Sequence, residues 1–195
     1  MIKKLLSVLA LVNVGFFSNA YSINYAETIE EEYIIDETPN LEFRLEATPR
    51  TSPLRKKEFN FKNNPDRSVF LENEVIVTAD NIIRATISDD ENGFPRINIE
   101  LDQDGAKAMA DATQGNIGRK LGVVLIEEIT KTYFDEEGKD IEEKWIVEQV
   151  ISYATIQAVL GAKISIYGLG STQEARDLAL QLNVRALEAS KKARQ

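Results

Sequence analysis

The chain has no cysteine and no histidine in its 195 residues. The first absence excludes disulfides, lipid attachment through a cysteine and thiol chemistry. Together the two remove the Ser-His-Asp triad, cysteine nucleophiles and the usual zinc ligands, so only carboxylate chemistry remains open to a catalyst. Positive charge is scarce as well, with 23 Lys and Arg against 32 Asp and Glu and a net charge of −9. An acidic surface repels phosphate backbones and anionic headgroups, which makes nucleic acid and membrane surface poor partners. Basic segments of unfolded polypeptides suit it better. Long apolar runs are missing too: none reaches the roughly 20 residues that crossing a bilayer requires.

The N-terminus has another character. Lys3 and Lys4 precede an apolar run over residues 5–17, followed by the small residues Ser18 and Ala20. This three-part pattern is that of a secretory signal peptide over residues 1–20, cleaved after Ala20. The expected mature protein is soluble, without a transmembrane segment, and in a Gram-negative cell it is periplasmic. Residues 21–40 carry Glu30, Glu31, Glu32, Asp36 and Glu37 and end at Pro39-Asn40, which reads as a flexible acidic linker. One folded domain is expected over residues 41–190, with a basic end over 191–195. The 43% hydrophobic content suffices for its core.

Within that domain the periodicity alternates between strand and helix. Residues 41–47 (LEFRLEA) set Leu41, Phe43 and Leu45 against charged neighbours, the period of a half-buried strand. Pro49, Pro53 and the basic trio Arg55-Lys56-Lys57 then interrupt it, and an irregular loop is expected to Asp66. Residues 69–78 read as one or two strands. A hairpin follows: Ile83, Ala85 and Ile87 should face the same way as Ile97, Ile99 and Leu101, with Asn92-Gly93-Phe94-Pro95 as the turn. Ala106, Met109, Ala110, Thr113 and Ile117 recur at helical spacing, with Asp104 as the expected cap and Gly118 as the stop. The unbroken run LGVVLI over 121–126 suits a central strand covered on both sides. Residues 145–153 and 163–167 read as further strands. Ser171-Thr172-Gln173-Glu174 has capping-box spacing and starts a long helix whose buried stripe is Ala175, Leu178, Ala179, Leu182 and Ala186. The fold class is α+β, a mostly antiparallel mixed sheet with two main helices on one face.

Candidate sites are few. Asp89, Asp90 and Glu91 could serve a carboxylate-dependent hydrolase if another acid approached, but turns select these residues for backbone reasons. Asp102, Asp104 and Gly105 resemble part of a calcium loop, with its Gly and closing Glu misplaced; helix capping explains them better. Gly168 and Gly170 before the last helix could receive a phosphate, yet Glu174 opposes an anion there. No catalytic, cofactor or metal residue is assigned. Tyr133, Phe134 and Trp145 are flanked by Glu127, Glu128, Asp135, Glu136, Glu137, Asp140, Glu142 and Glu143. An acidic rim around aromatics can hold an extended basic or apolar peptide, and these three are the candidate polypeptide-binding residues. A solvated loop with its aromatics in the core is the plainer alternative.

The order of elements, with Leu41-Glu42-Phe43-Arg44 opening the domain, Asn116-Ile117-Gly118 ending the first helix and Gln173-Glu174-Ala175-Arg176 opening the last, resembles the periplasmic head of SecD, a protein-export subunit, over residues 41–187. The resemblance implies an α+β head that touches emerging preprotein, with no enzymatic activity and no cofactor. One departure is Val184-Arg185-Ala186-Leu187, where the family has a glycine at the exit toward its base. The expectation is therefore a free-standing head lacking the proton-coupled membrane part. It would act as a polypeptide-binding or export-accessory module, with unfolded or translocating polypeptide or Sec translocase components as partners. A scaffold subunit of an envelope complex is the alternative, marked by an apolar patch on the sheet face.

Overall fold

The computed structural model describes residues 5–10, 29–35, 39–134 and 139–192. Its strands, in chain order, are β1 (Leu5–Ala10), β2 (Ile29–Ile35), β3 (Asn40–Leu45), β4 (Lys56–Phe61), β5 (Asn64–Glu72), β6 (Val77–Thr78), β7 (Ile82–Asp89) and β8 (Pro95–Leu101). Helix α1 (Gln103–Gln114) follows, then β9 (Lys120–Phe134), β10 (Asp140–Thr155), β11 (Lys163–Ile166) and helix α2 (Thr172–Lys192). The chain divides into two compact units, one of residues 1–37 with 128–146 and the other of residues 38–127 with 147–195.

In the first unit, β1 pairs antiparallel with β2, and β2 with β9 from Ile129 to Thr132. Cleavage after Ala20, and most of the leader around it, lies outside the described residues. Leu5–Ala10, within the expected leader, and Ile29–Ile35, within the expected acidic linker, are both strands. In the second case Ile29, Tyr33, Ile34 and Ile35 supply apolar residues that the density of glutamate conceals.

The second unit holds the two helices and two sheets. β3, β4, β5, β6, β9 and β10 contribute to the larger sheet, where β9 lies between β3 and β10, and β4 joins β10 in parallel. The β3–β6, β4–β5, β7–β8 and β8–β11 pairings are antiparallel, in keeping with the expected class. β11, β8 and β7 make a separate three-stranded sheet in that order.

The LGVVLI run behaves as its composition demands. Leu121, Val123 and Leu125 enter the main core with Leu41, Phe43 and Leu45 of β3, Ile97 and Ile99 of β8, Met109 of α1, and Leu178 and Leu182 of α2. Val124 faces a second core of Phe59, Leu71 and Val150. A Cβ on Gly122 would lie 2.7 Å from a Leu71 methyl, so the glycine is what lets β5 pack against β9. Each large apolar side chain buried in this way contributes roughly 1.5–3 kcal/mol.

Several expectations need correction. The presumed loop to Asp66 contains β4 and the start of β5, paired from Lys56↔Glu72 onward. Pro49 and Pro53 sit before the strand, and two of its lysines lie on ring faces, Lys57 over Phe59 at 5.3 Å and Lys56 over Phe70 at 5.0 Å. In the hairpin, Ile82 and Ala85 are buried while Ile83 is exposed, because the register shifts between Ile82 and Arg84 and the extra residue changes phase. Gly93 turns the hairpin at φ +81° as expected. Asp102, not Asp104, caps α1, accepting from the Gly105 N–H at 2.7 Å, and the helix stops at Gly115 with Ile117 exposed. Ser171 and Glu174 do cap α2: Ser171 Oγ accepts from the Glu174 N–H at 3.1 Å and the Glu174 carboxylate from the Gly170 N–H at 2.8 Å.

Candidate functional site

The proposed aromatic residues fall in the first unit. Tyr133 and Phe134 are the last two residues of β9, and Trp145 lies on its sheet neighbour β10, 41% exposed beside the more exposed Ile146. Of the acidic rim, Asp135, Glu136 and Glu137 lie outside the described residues. Glu128 accepts from the Lys144 ammonium at 2.6 Å.

The carboxylates read as structural hold structure. Asp90 Oδ1 accepts from the N–H groups of Asn92 and Phe94 at 2.8 and 2.9 Å, which fixes the hairpin turn. The N–H of Gly170, the donor a phosphate would need, is already taken by Glu174. Among the described residues no group of three or more acidic side chains is placed to hold a metal ion.

What the sequence did not reveal is a cleft of about 520 Å³ in the second unit, bounded by the end of β10, the 156–162 connection and β11. Phe43, Leu121, Val123, Leu160 and Ile164 give it apolar walls. Ser152, Ala154, Thr155, Gln157, Ser165 and Tyr167 line it with neutral groups, and Lys163 brings its one full charge. The cleft exists because β10 and β11 follow each other in the chain yet belong to different sheets. β4 meets β10 at Gln149 and Val150, short of Ser152. A period-2 pattern reveals a strand's faces and never its pairing partners, so no residue signal announces such a gap.

The walls are firmly held. The Leu160 N–H donates to Thr113 Oγ1 at 2.9 Å, and that hydroxyl donates to Met109 O at 2.7 Å, tying the connection to α1. Arg119 donates to Asn116 Oδ1 and Glu72 Oε1, both at 2.6 Å, and to Glu46 O. On β10 the Tyr153 hydroxyl donates to the Glu46 carboxylate, and its ring meets Phe61 edge-on at 5.8 Å. Burial, which disfavours the charged phenolate, and then Glu46, which accepts the phenol's hydrogen bond and repels a second negative charge, push this phenol above its ordinary value.

These features define an α+β module with an apolar-walled groove, uncharged apart from Lys163, and no cluster of reactive groups among its described residues. The family model of the SecDF P1 head subdomain matches residues 55–189, and the chain belongs to that family. The protein translocase subunit SecD of Pseudomonas aeruginosa is 39% identical over 170 residues, covering 84% of this chain and 27% of that protein. SecD of Escherichia coli K12 is 32% identical over 172 residues with the same coverage. The chain thus spans about a quarter of the length of the curated relatives it matches. A solved structure of SecDF, a membrane component that enhances protein export, aligns with a TM-score of 0.47 and 24% identity over 75% of this chain and 62% of the other. Among the described residues no helix is long and apolar enough to cross a membrane.

Proposed function

We propose that this head works in protein export by non-covalent contact with unfolded or translocating polypeptide, on the periplasmic side of the membrane and in association with Sec translocase components. It acts as a soluble accessory module, released from a leader at Ala20, without cofactor and without catalysis. The observation that carries the reading is the cleft beside β11, apolar-walled and uncharged apart from Lys163, in a chain whose relatives are protein translocase subunits. Apolar walls with few convergent polar groups suit a ligand recognised by shape and burial, as an unfolded segment is. Tyr133, Phe134 and Trp145 form a second contact for the same chain.

The test uses a tryptophan-free unfolded chain, reduced and carboxymethylated ribonuclease A, labelled and titrated with the purified protein. Anisotropy should rise with the unfolded form and stay flat with native ribonuclease A. Trp145 is the single tryptophan, so its emission reports the second contact separately. Absence of binding to the unfolded form, together with hydrolytic turnover that a carboxylate substitution abolishes, would sink this reading in favour of an enzyme.

A scaffold role has one observation behind it. Leu180, Val184 and Leu187 are exposed on α2 at i, i+4 and i+7, about half a turn round from the buried stripe. By contrast, the outer face of the three-stranded sheet carries Arg84, Thr86, Asn98, Glu100 and Lys163 and is polar. Solution mass measurement distinguishes a lone head from a subunit that assembles through α2.

A further inference from the structure

The register of the small sheet fixes which main-chain groups look into the cleft. β11 pairs with β8 as Lys163↔Glu100, Ile164↔Ile99, Ser165↔Asn98 and Ile166↔Ile97, and just before it the Leu101 N–H donates to Ala162 O at 2.8 Å. Hydrogen-bonded and non-bonded pairs alternate along an antiparallel ladder. Ala162, Ile164 and Ile166 therefore direct their N–H and C=O groups at β8, while Lys163 and Ser165 direct theirs away from it. The opposite side of the sheet gives an independent check. Asn183 donates to Ala85 O and accepts from the Ala85 N–H, both at 2.8 Å, so Ala85 points away from β8. Its partner Ile99 must then point at β11, as the first argument requires.

β11 is the terminal strand of its sheet. Lys163 and Ser165 line the cleft, and Ile164 adds apolar surface to it. We propose that an extended polypeptide segment lies in this cleft as an added strand on β11, hydrogen-bonded to the main chain of Lys163 and Ser165. The proposal rests on the polypeptide-binding reading above and names its site and mode. Main-chain pairing supplies affinity without reading sequence, which suits many different passengers. The lining supplies the selection: it is neutral apart from Lys163, so it takes segments of low charge that present apolar groups at alternate positions to the partly exposed Leu160 and Ile164. A basic segment is disfavoured there by Lys163 itself.

Proline makes the test selective. At Ser165 the N–H faces away from β8, so Ser165→Pro leaves the ladder intact, as prolines on edge strands do, yet it removes the donor offered to the passenger. Ser165→Ala is the control, because the Ser165 hydroxyl also donates to Asn98 Oδ1 at 2.7 Å. The probe is a fluorescein-labelled synthetic peptide of alternating Val and Thr, alongside the same peptide N-methylated throughout. Ser165→Pro should bind it about tenfold more weakly than Ser165→Ala, the cost of a lost hydrogen bond with its partner left unpaired. The N-methylated peptide should not bind. Hydrogen exchange at the Lys163 and Ser165 amides should slow when the unmethylated peptide is added, a readout that stands even if a variant folds poorly. Equal affinity of the two Ser165 variants, undiminished binding of the methylated peptide, or unchanged exchange at both amides each overturns strand addition. If unfolded ribonuclease A binds while the Val-Thr peptide does not, strand addition fails and the wider polypeptide-binding reading survives; if neither binds, both fail.

Discussion

The three-stranded sheet has two edges, and the protein treats them differently. On β7 the side chain of Asn183, reaching across from α2, satisfies both the N–H and the C=O of Ala85. One amide thus does for that edge what a neighbouring strand would do. On β11 nothing comparable is present among the described residues, and the strand borders a cleft with apolar walls. An unpaired edge is an aggregation hazard that folds normally cover. Covering one and leaving the other beside a groove separates the two duties of a small sheet, closure on the helix side and reception on the cleft side. Even the open edge is limited: β11 has four residues, about 13 Å of strand, and carries Lys163 at its start.

Ile164→Pro tests this contrast most severely. Its N–H belongs to the β8 ladder and its side chain is half-buried, so the substitution should cost about 3 kcal/mol in urea unfolding. Ser165→Pro, one residue along, should cost about 1 kcal/mol or less. Similar losses for the two would mean that the assignment of inward and outward groups on β11 is wrong. Asn183→Ala comes next. It strips both hydrogen bonds from Ala85 and should cost about 2 kcal/mol. With the β7 edge uncovered, sedimentation should also become concentration-dependent. A variant that loses stability yet stays monomeric at every concentration would show that Asn183 fastens α2 without guarding an edge.

The sequence disclosed these regions unequally. α2 was legible in full at its start and along its buried stripe, because Ser171, Glu174, Ala175, Leu178, Ala179 and Leu182 follow local rules of capping and periodicity. β9 was legible too, since only a strand buried on both faces tolerates LGVVLI. The β4–β5 hairpin was not: Arg55, Lys56 and Lys57 look like a loop, and Lys56 meets the Phe70 ring only once the partner strand is in place. The cap of α1 moved by two residues because Asp102 and Asp104 are chemically equivalent and only the backbone angle chooses between them. The cleft left no trace, for it is made by the pairing of distant strands. Tyr133, Phe134 and Trp145 were chosen by composition, from the acidic residues that flank them in the sequence.

Smaller effects sharpen the comparison from the cleft side. Thr113→Val keeps the shape of the side chain but removes the hydroxyl that receives the Leu160 N–H, leaving that group half-buried and unpaired. A loss of about 1 kcal/mol is expected, with faster exchange of the Leu160 amide while the Ala85 amide is unchanged. Faster exchange at both would mean that the two edges are mechanically coupled.

Tyr153 gives the clearest dependence on pH. It lies on β10 between the cleft-lining residues Ser152 and Ala154, and its phenol keeps its proton to higher pH than a free tyrosine does, through burial and then through Glu46. The folded state therefore holds a proton that the unfolded chain releases near its ordinary value of 10.0. The stabilisation is complete below that pH and declines as pH rises past it, because the unfolded state then binds fewer protons than the folded one. Tyr153→Phe removes the ionisable group. Urea midpoints measured on either side of pH 10 should fall more steeply for the natural protein than for the variant, and parallel slopes would show that the Glu46 contact does not anchor the β10 wall of the cleft.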